Sequence, residues 1–206
     1  MELKSSCIRR FHSALDAVGQ LVRERENDLP AVPILVAIDG RCGGGKTTLG
    51  EYLRKHFECN VFHMDDFYLQ PHQRTVERLR EVGGNVDYER FLTEVLEPLQ
   101  NRQDVHYRKF SCRTWEMEPE MVIPYRQLNI IEGSYSLHPY FGNPYGLRIF
   151  MDIDEKSQSE NILHRNGEKK LEEFKRLWIP KEEAYFEKFQ VGEGCLVIRW
   201  EPPKDI

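Results

Sequence analysis

Gly40, Gly43, Gly44 and Gly45, followed by Lys46, Thr47 and Thr48, are residues able to hold a polyphosphate. Gly40-Arg41-Cys42-Gly43-Gly44-Gly45-Lys46-Thr47 has the G-x-x-x-x-G-K-[ST] spacing, with an apolar run before it and a helical pattern after it. A triphosphate carries several negative charges that must be gripped with no bulky group in the way. Glycines let successive backbone N–H groups turn inward as a nest. A helix starting near Lys46 would aim its positive end at the same anion. In that arrangement Lys46 reaches the β- and γ-phosphates, the Thr47 hydroxyl ligates Mg²⁺ and Thr48 stands at the α-phosphate. Cys42 reads as a spacer; a thiol activated by the helix N-terminus is the alternative.

Two acidic positions could complete the chemistry. His63-Met64-Asp65-Asp66-Phe67-Tyr68 follows a short apolar segment, which would bring its carboxylates to the same sheet edge as the glycine loop. An acid there can take a proton from an acceptor hydroxyl or hold Mg²⁺ and its waters, and the plainer alternative is a pair of aspartates capping loop amides. Ile130-Ile131-Glu132-Gly133 puts another acid at the end of an apolar run, where a Mg²⁺-associated carboxylate or a helix cap would stand.

These groups need a scaffold, and the pattern supplies one. Residues 33–39, 60–64, 128–131, 147–153 and 195–200 are short apolar runs of the kind buried strands show. Residues 47–57, 88–99, 155–165 and 169–189 read as helices. Strands alternating with helices predict an α/β fold with three α/β/α layers, a mostly parallel central sheet and ligands at the carboxyl ends of its strands. Ile8, Phe11, Leu15, Val18 and Val22 form the stripe of an N-terminal amphipathic helix, halted by Pro30 and Pro33. We expect that helix over 1–30 to pack on the flank of a domain covering 31–206, a homodimer contact being the alternative.

Composition narrows the partners. The 206 residues carry 29 Lys and Arg against 34 Asp and Glu, a formal charge of −5. Such a balance gives no general attraction for nucleic acid or an anionic membrane. Five scattered cysteines without C-x-x-C spacing argue against a disulfide framework or a zinc site and fit a cytoplasmic protein. No apolar run approaches a membrane span.

IDGRCGGGKTT, FHMDDFYL, GGNVDYERF and NIIEGSYS, in this order and spacing, resemble the uridine kinase-like family of phosphate-loop kinases. That group includes nicotinamide riboside kinase and pantothenate kinase, and the likeness runs from about residue 33 to residue 190. It implies the P-loop NTPase fold with a small helical lid at about 155–180, and transfer of the γ-phosphoryl group of ATP, with Mg²⁺, to a hydroxyl of a small metabolite. It also implies roles: Asp65 as general base, Glu132 and Asp65 with Thr47 near Mg²⁺, and Asp87 accepting from ribose hydroxyls. Arg165 in the lid would approach the transferring phosphoryl, with Arg176 a weaker match beside it. Tyr68 is assigned to the acceptor; Tyr107, Phe110 and Trp115 would line its pocket in one reading and are aromatic core residues in the plainer one. The chain departs from pyrimidine-specific members, because no base-reading histidine follows Tyr107–Arg113. Its lid, HRNGEKKLEEFKR, also carries lysines and glutamates where those members carry arginines.

The expected function is therefore an ATP-dependent kinase acting on a nucleoside or other ribosyl compound. The alternatives are a vitamin or sugar acceptor, or a nucleotide-binding regulatory protein without turnover. A guanine-specific switch would carry Asn-Lys-x-Asp, and that string is absent.

Overall fold

The computed structural model describes residues 5–25 and 32–201. Pro30 and the expected boundary at residue 30 lie outside them. A helix, α1 (Ser5–Arg25), precedes β1 (Ile34–Gly40), α2 (Lys46–Arg54) and β2 (Cys59–His63). After two short 3₁₀ turns come α3 (Val76–Arg80) and α4 (Tyr88–Phe91), which runs through a π-helical turn (Leu92–Leu96) into α5 (Glu97–Gln100). A hairpin of β3 (Val105–Ser111) and β4 (Glu116–Ile123) leads to β5 (Leu128–Glu132) and β6 (Leu147–Asp152). Then α6 (Glu155–Asn166) and α7 (Glu168–Glu173) pass through a second π turn into α8 (Ile179–Phe189), and β7 (Leu196–Arg199) closes the described chain.

The main sheet has five strands in the order β2-β5-β1-β6-β7, all paired in parallel. Every residue of β1 is buried, because helices cover both faces and each side chain meets a core. On one face Phe11, Ala14 and Val18 of α1 and Leu49 and Leu53 of α2 pack on Val36, Ile38 and Ile149. On the other, Phe91, Tyr185 and Phe186 pack on Leu35, Ile131 and Phe150. The architecture is thus three-layer α/β/α, as expected. α1 shares a core with the strands and packs on the flank of this domain.

One element was not expected. The stretch 105–123 forms an antiparallel hairpin apart from the main sheet. Its second strand, EMEPEMVI, is largely exposed, so it lacks the apolar alternation that marks a half-buried strand.

Candidate active site

The glycine loop follows β1 at the carboxyl edge of the sheet. Gly40 has φ +124°, and a Cβ there would lie 2.2 Å from the Met151 carbonyl oxygen on the neighbouring strand. Gly45, the cap of α2, has φ +95°. Both positions therefore require glycine.

The expected phosphate site divides into two sets. The amide of Gly40 donates to Asp39 Oδ1 (2.7 Å), that of Arg41 to Met151 O (3.0 Å), that of Cys42 to Glu182 Oε2 (3.0 Å) and that of Gly44 to Arg41 O (3.1 Å). These four amides are engaged within the protein and build the loop. Among the described residues, the amides of Gly43, Gly45, Lys46, Thr47 and Thr48 meet no protein acceptor. They sit where the unpaired donors of the α2 N-terminus gather. The Lys46 ammonium donates to Gly40 O at 2.6 Å, folded over the loop.

The Arg41 side chain is held by acids. Its guanidinium forks onto Glu183 at 2.8 and 2.9 Å and reaches Asp152 at 2.5 Å, tying the loop to α8 and β6. Tyr185 of α8 donates to Asp39 Oδ2 at 2.9 Å, and Gln158 and Asn161 of α6 donate to the carbonyls of Cys42 and Gly43 at 3.0 and 2.9 Å. α6 and α8 are thereby both anchored to the loop and to the strand before it. Cys42 is buried, and that burial pushes its thiol up; Glu182 adds to the rise, and Lys46 and Arg165 oppose it. A raised thiol favours the spacer reading over the activated one.

The acids converge on the loop. Thr47 Oγ1 donates to Glu132 Oε2 at 3.2 Å, and His63 Nδ1 lies 2.5 Å from Glu132 Oε1. His63 and Glu132 are register partners on β2 and β5. Interaction with Glu132 raises the His63 pKa. The two neighbouring aspartates separate into different roles. Asp66 is claimed by the Tyr107 hydroxyl at 3.0 Å and the Lys109 ammonium at 3.2 Å. Asp65 opens onto the cleft and accepts from the Tyr68 hydroxyl at 3.2 Å. Surrounding protein raises the Asp65 carboxyl above its ordinary value, Glu132 adds to the rise, and Lys46 and Tyr68 oppose it.

Other expected residues are engaged by protein contacts. Tyr107 is 4% exposed, stacked 5.2 Å from the Phe67 ring, so it braces Asp66 from the core and does not line the cleft. Phe110 is buried and Trp115 stands out at the hairpin turn. Asp87 is buried and caps α4: Oδ1 accepts from the Arg90 amide at 3.1 Å and Oδ2 from Gln73 Nε2 at 2.8 Å. Arg165 lies exposed at the end of α6, bonded to its neighbour Asn166 at 2.7 Å. Sequence reasoning assigned no role to His63, Ser134 or Glu182. Glu182 is 5% exposed and holds both the Cys42 amide and the Ser134 hydroxyl, the latter at 2.5 Å.

A Mg²⁺ ion fits the oxygens present. A threonine hydroxyl and a carboxylate side by side, with a second carboxylate whose charge they feel, are hard donors of the type this ion prefers. Among the described residues no group of three or more His, Cys, Asp or Glu side chains forms a cage. An ion there would take its other ligands from phosphates and water.

No family model matches the chain, and no curated protein matches it by sequence. Solved structures do match it. A "possible uridine kinase" from Bacillus stearothermophilus superimposes with a TM-score of 0.66 at 16% identity, over 94% of this chain and 99% of that one. A provisionally named fructose transport system kinase from Silicibacter sp. TM1040 gives 0.65 at 19% identity, over 91% and 98%. YFH7 from Saccharomyces cerevisiae, a provisionally named P-loop kinase with a circular permutation, gives 0.60 at 14% identity, over 93% and 99%. Identities this low speak to architecture alone, and on that level the result is clear: the chain has the fold of the uridine kinase-like P-loop kinases.

Proposed function

We propose that this protein is a kinase that moves the γ-phosphoryl group of ATP onto a hydroxyl of a small molecule. The observation that carries the reading is the Thr47–Glu132 bond at 3.2 Å beside the open amides of the loop, with Asp65 held by the Tyr68 hydroxyl at 3.2 Å. Asp65 is the one aspartate of its pair left without a cation partner, and its carboxyl is raised while Lys46 stands close enough to oppose the rise. A raised carboxylate is a better proton acceptor at neutral pH.

In this reading the amides of Gly43, Gly45, Lys46, Thr47 and Thr48 hold the phosphates, and the Lys46 ammonium leaves Gly40 O to neutralise them. Asp65 accepts the proton of the acceptor hydroxyl while Tyr68 keeps its carboxylate oriented. Thr47 and Glu132 would hold Mg²⁺, which when bound offsets charge on the phosphate oxygens. Arg165 would add its charge when the lid closes and excludes water. Asp87, which caps α4, remains our candidate for a ribosyl or polyol acceptor, whose hydroxyls would take the place of Gln73 at its second oxygen.

The test is Asp65→Ala. It should bind ATP with unchanged affinity and lose roughly 10²–10⁴-fold in acceptor-dependent ADP release. Full turnover by that variant would remove Asp65 from the mechanism.

A further inference from the structure

The helix α1 lies outside the stretch that carries the family resemblance, yet it brings a charge to the phosphate loop. Arg10 stands one residue before Phe11, which anchors α1 in the core. Its guanidinium carbon lies 4.1 Å from the centroid of the Trp200 ring and 4.6 Å from that of Phe11. Two rings thus hold the flat group and set the direction its nitrogens take. Nη2 is the end that reaches the loop. It lies 2.9 Å from the point a Cβ on Gly45 would occupy, and Thr48 Cβ lies 4.0 Å from the same point.

That place is electrostatically unfavourable for a cation in the protein alone. Gly45 caps α2, whose first turn gathers unpaired amides and the positive end of the helix dipole. A guanidinium beside it is a like charge, and an anion that both can face removes the conflict. Arg41, on the same loop, is by contrast engaged by Glu183 and Asp152.

The space around Arg10 indicates which part of a nucleotide reaches it. A cavity of about 580 Å³ opens beside the loop, with Ile153, Gln158, Ile179 and Trp200 among its walls. Its charged walls are Asp152, Asp154, Glu155 and Glu183 against Arg41 and Arg199, so it has no positive excess for phosphates and suits an uncharged nucleoside. Arg10 lines a second space of about 410 Å³, and Arg199 borders both. Trp200 lines the first cavity and carries Arg10 over its ring, so Arg10 adjoins both the nucleoside space and the α2 N-terminus. In a nucleoside triphosphate the group that joins those two places is the α-phosphate.

We propose that Arg10 of α1 binds the nucleotide, its Nη2 donating to an α-phosphate oxygen beside Thr48. The proposal rests on the kinase reading and adds a residue to its nucleotide site.

Calorimetric titration of a non-hydrolysable ATP analogue with Mg²⁺ into wild type, Arg10→Met and Arg10→Gln tests it. Both substitutions remove the charge, and either one carries the test if the other fails to fold. Affinity should weaken roughly tenfold or more, the effect of losing a charged hydrogen bond. The loss should shrink as KCl rises from about 0.05 M to about 1 M, because salt screens a charge contact. With a reacting acceptor, KM for ATP should rise by a similar factor while kcat changes little. His12→Ala, at an exposed position of the same helix, should bind the analogue as the wild type does.

A loss that salt leaves unchanged, or that His12→Ala shares, makes the effect one of helix packing and overturns the proposal. Equal affinity in the wild type and the Arg10 variants also overturns it and leaves the kinase reading intact. A wild type that binds no analogue removes the kinase reading and this proposal together.

Discussion

His63 Nδ1 and Glu132 Oε1 meet at 2.5 Å across the carboxyl ends of two adjacent parallel strands. The contact aims the other Glu132 oxygen at Thr47, so a histidine on β2 sets the orientation of an acid that faces the phosphate loop. Partners of this kind fix the geometry of the groups in front of them.

That pair makes stability depend on pH. The His63 pKa is raised in the folded protein, so its contribution is complete below the unfolded value of about 6.5 and disappears as pH rises through the folded value. The melting temperature of the nucleotide-free wild type should exceed that of His63→Leu by more at pH 6 than at pH 9. A difference that stays constant over that range would show that the charged pair adds nothing.

Asp39 is a second buried anchor. Four donors point at its oxygens: the amides of Gly40, Tyr135 and Leu137, and the Tyr185 hydroxyl. Burial raises its pKa to about 6 while Lys46, the Leu137 and Gly40 amides and the Tyr185 hydroxyl pull it down. Asp39→Asn would turn an NH₂ group toward donors and leave a buried polar atom unsatisfied. The expected cost is about 3 kcal/mol in urea unfolding at pH 7.5.

Gly40→Ala tests the loop geometry. The added Cβ would run into the backbone of β6, with Met151 N at 2.5 Å and Met151 O at 2.2 Å, at a φ of +124°. Backbone cannot yield as a side-chain tip can, so we expect destabilisation above roughly 3 kcal/mol, or failure to accumulate folded. Gly142→Ala is the control: nothing lies within 4 Å of its Cβ position, and its φ of +65° leaves backbone strain as the cost.

α1 gives a further check. Phe11 is fully buried against Tyr52, their ring centroids 5.5 Å apart. Phe11→Ala should cost about 3–5 kcal/mol in chemical denaturation. A cost under 1 kcal/mol would mean that α1 is not part of the core.

Much of this was legible from residue order. Continuous apolar runs such as ILVAI can be satisfied only between two covering layers, and the glycines before Lys46 admit few conformations. Asp65 and Glu132 were legible because each follows such a run. What was not legible is carried by contacts between distant residues. Glu182 meets the Cys42 amide from 140 positions away, and Arg41 meets Glu183 from 142, with no local pattern to announce either. Tyr107 could be read as lining an acceptor pocket or as part of the core, because neither its type nor its neighbours reveal which side of a strand turns inward. The answer lies in Phe67 and Asp66, some 40 residues earlier, which claim its ring and its hydroxyl.

The central claim is that the open amides and the Lys46 ammonium grip a nucleoside triphosphate. Calorimetric titration of ATP with Mg²⁺ into the wild type and Lys46→Ala tests it most directly. The account predicts one site per chain in the wild type and affinity weakened by at least roughly 30-fold in the variant, the effect of removing a charged hydrogen-bond donor. Absence of heat in the wild type, or equal affinity in the two proteins, would contradict it.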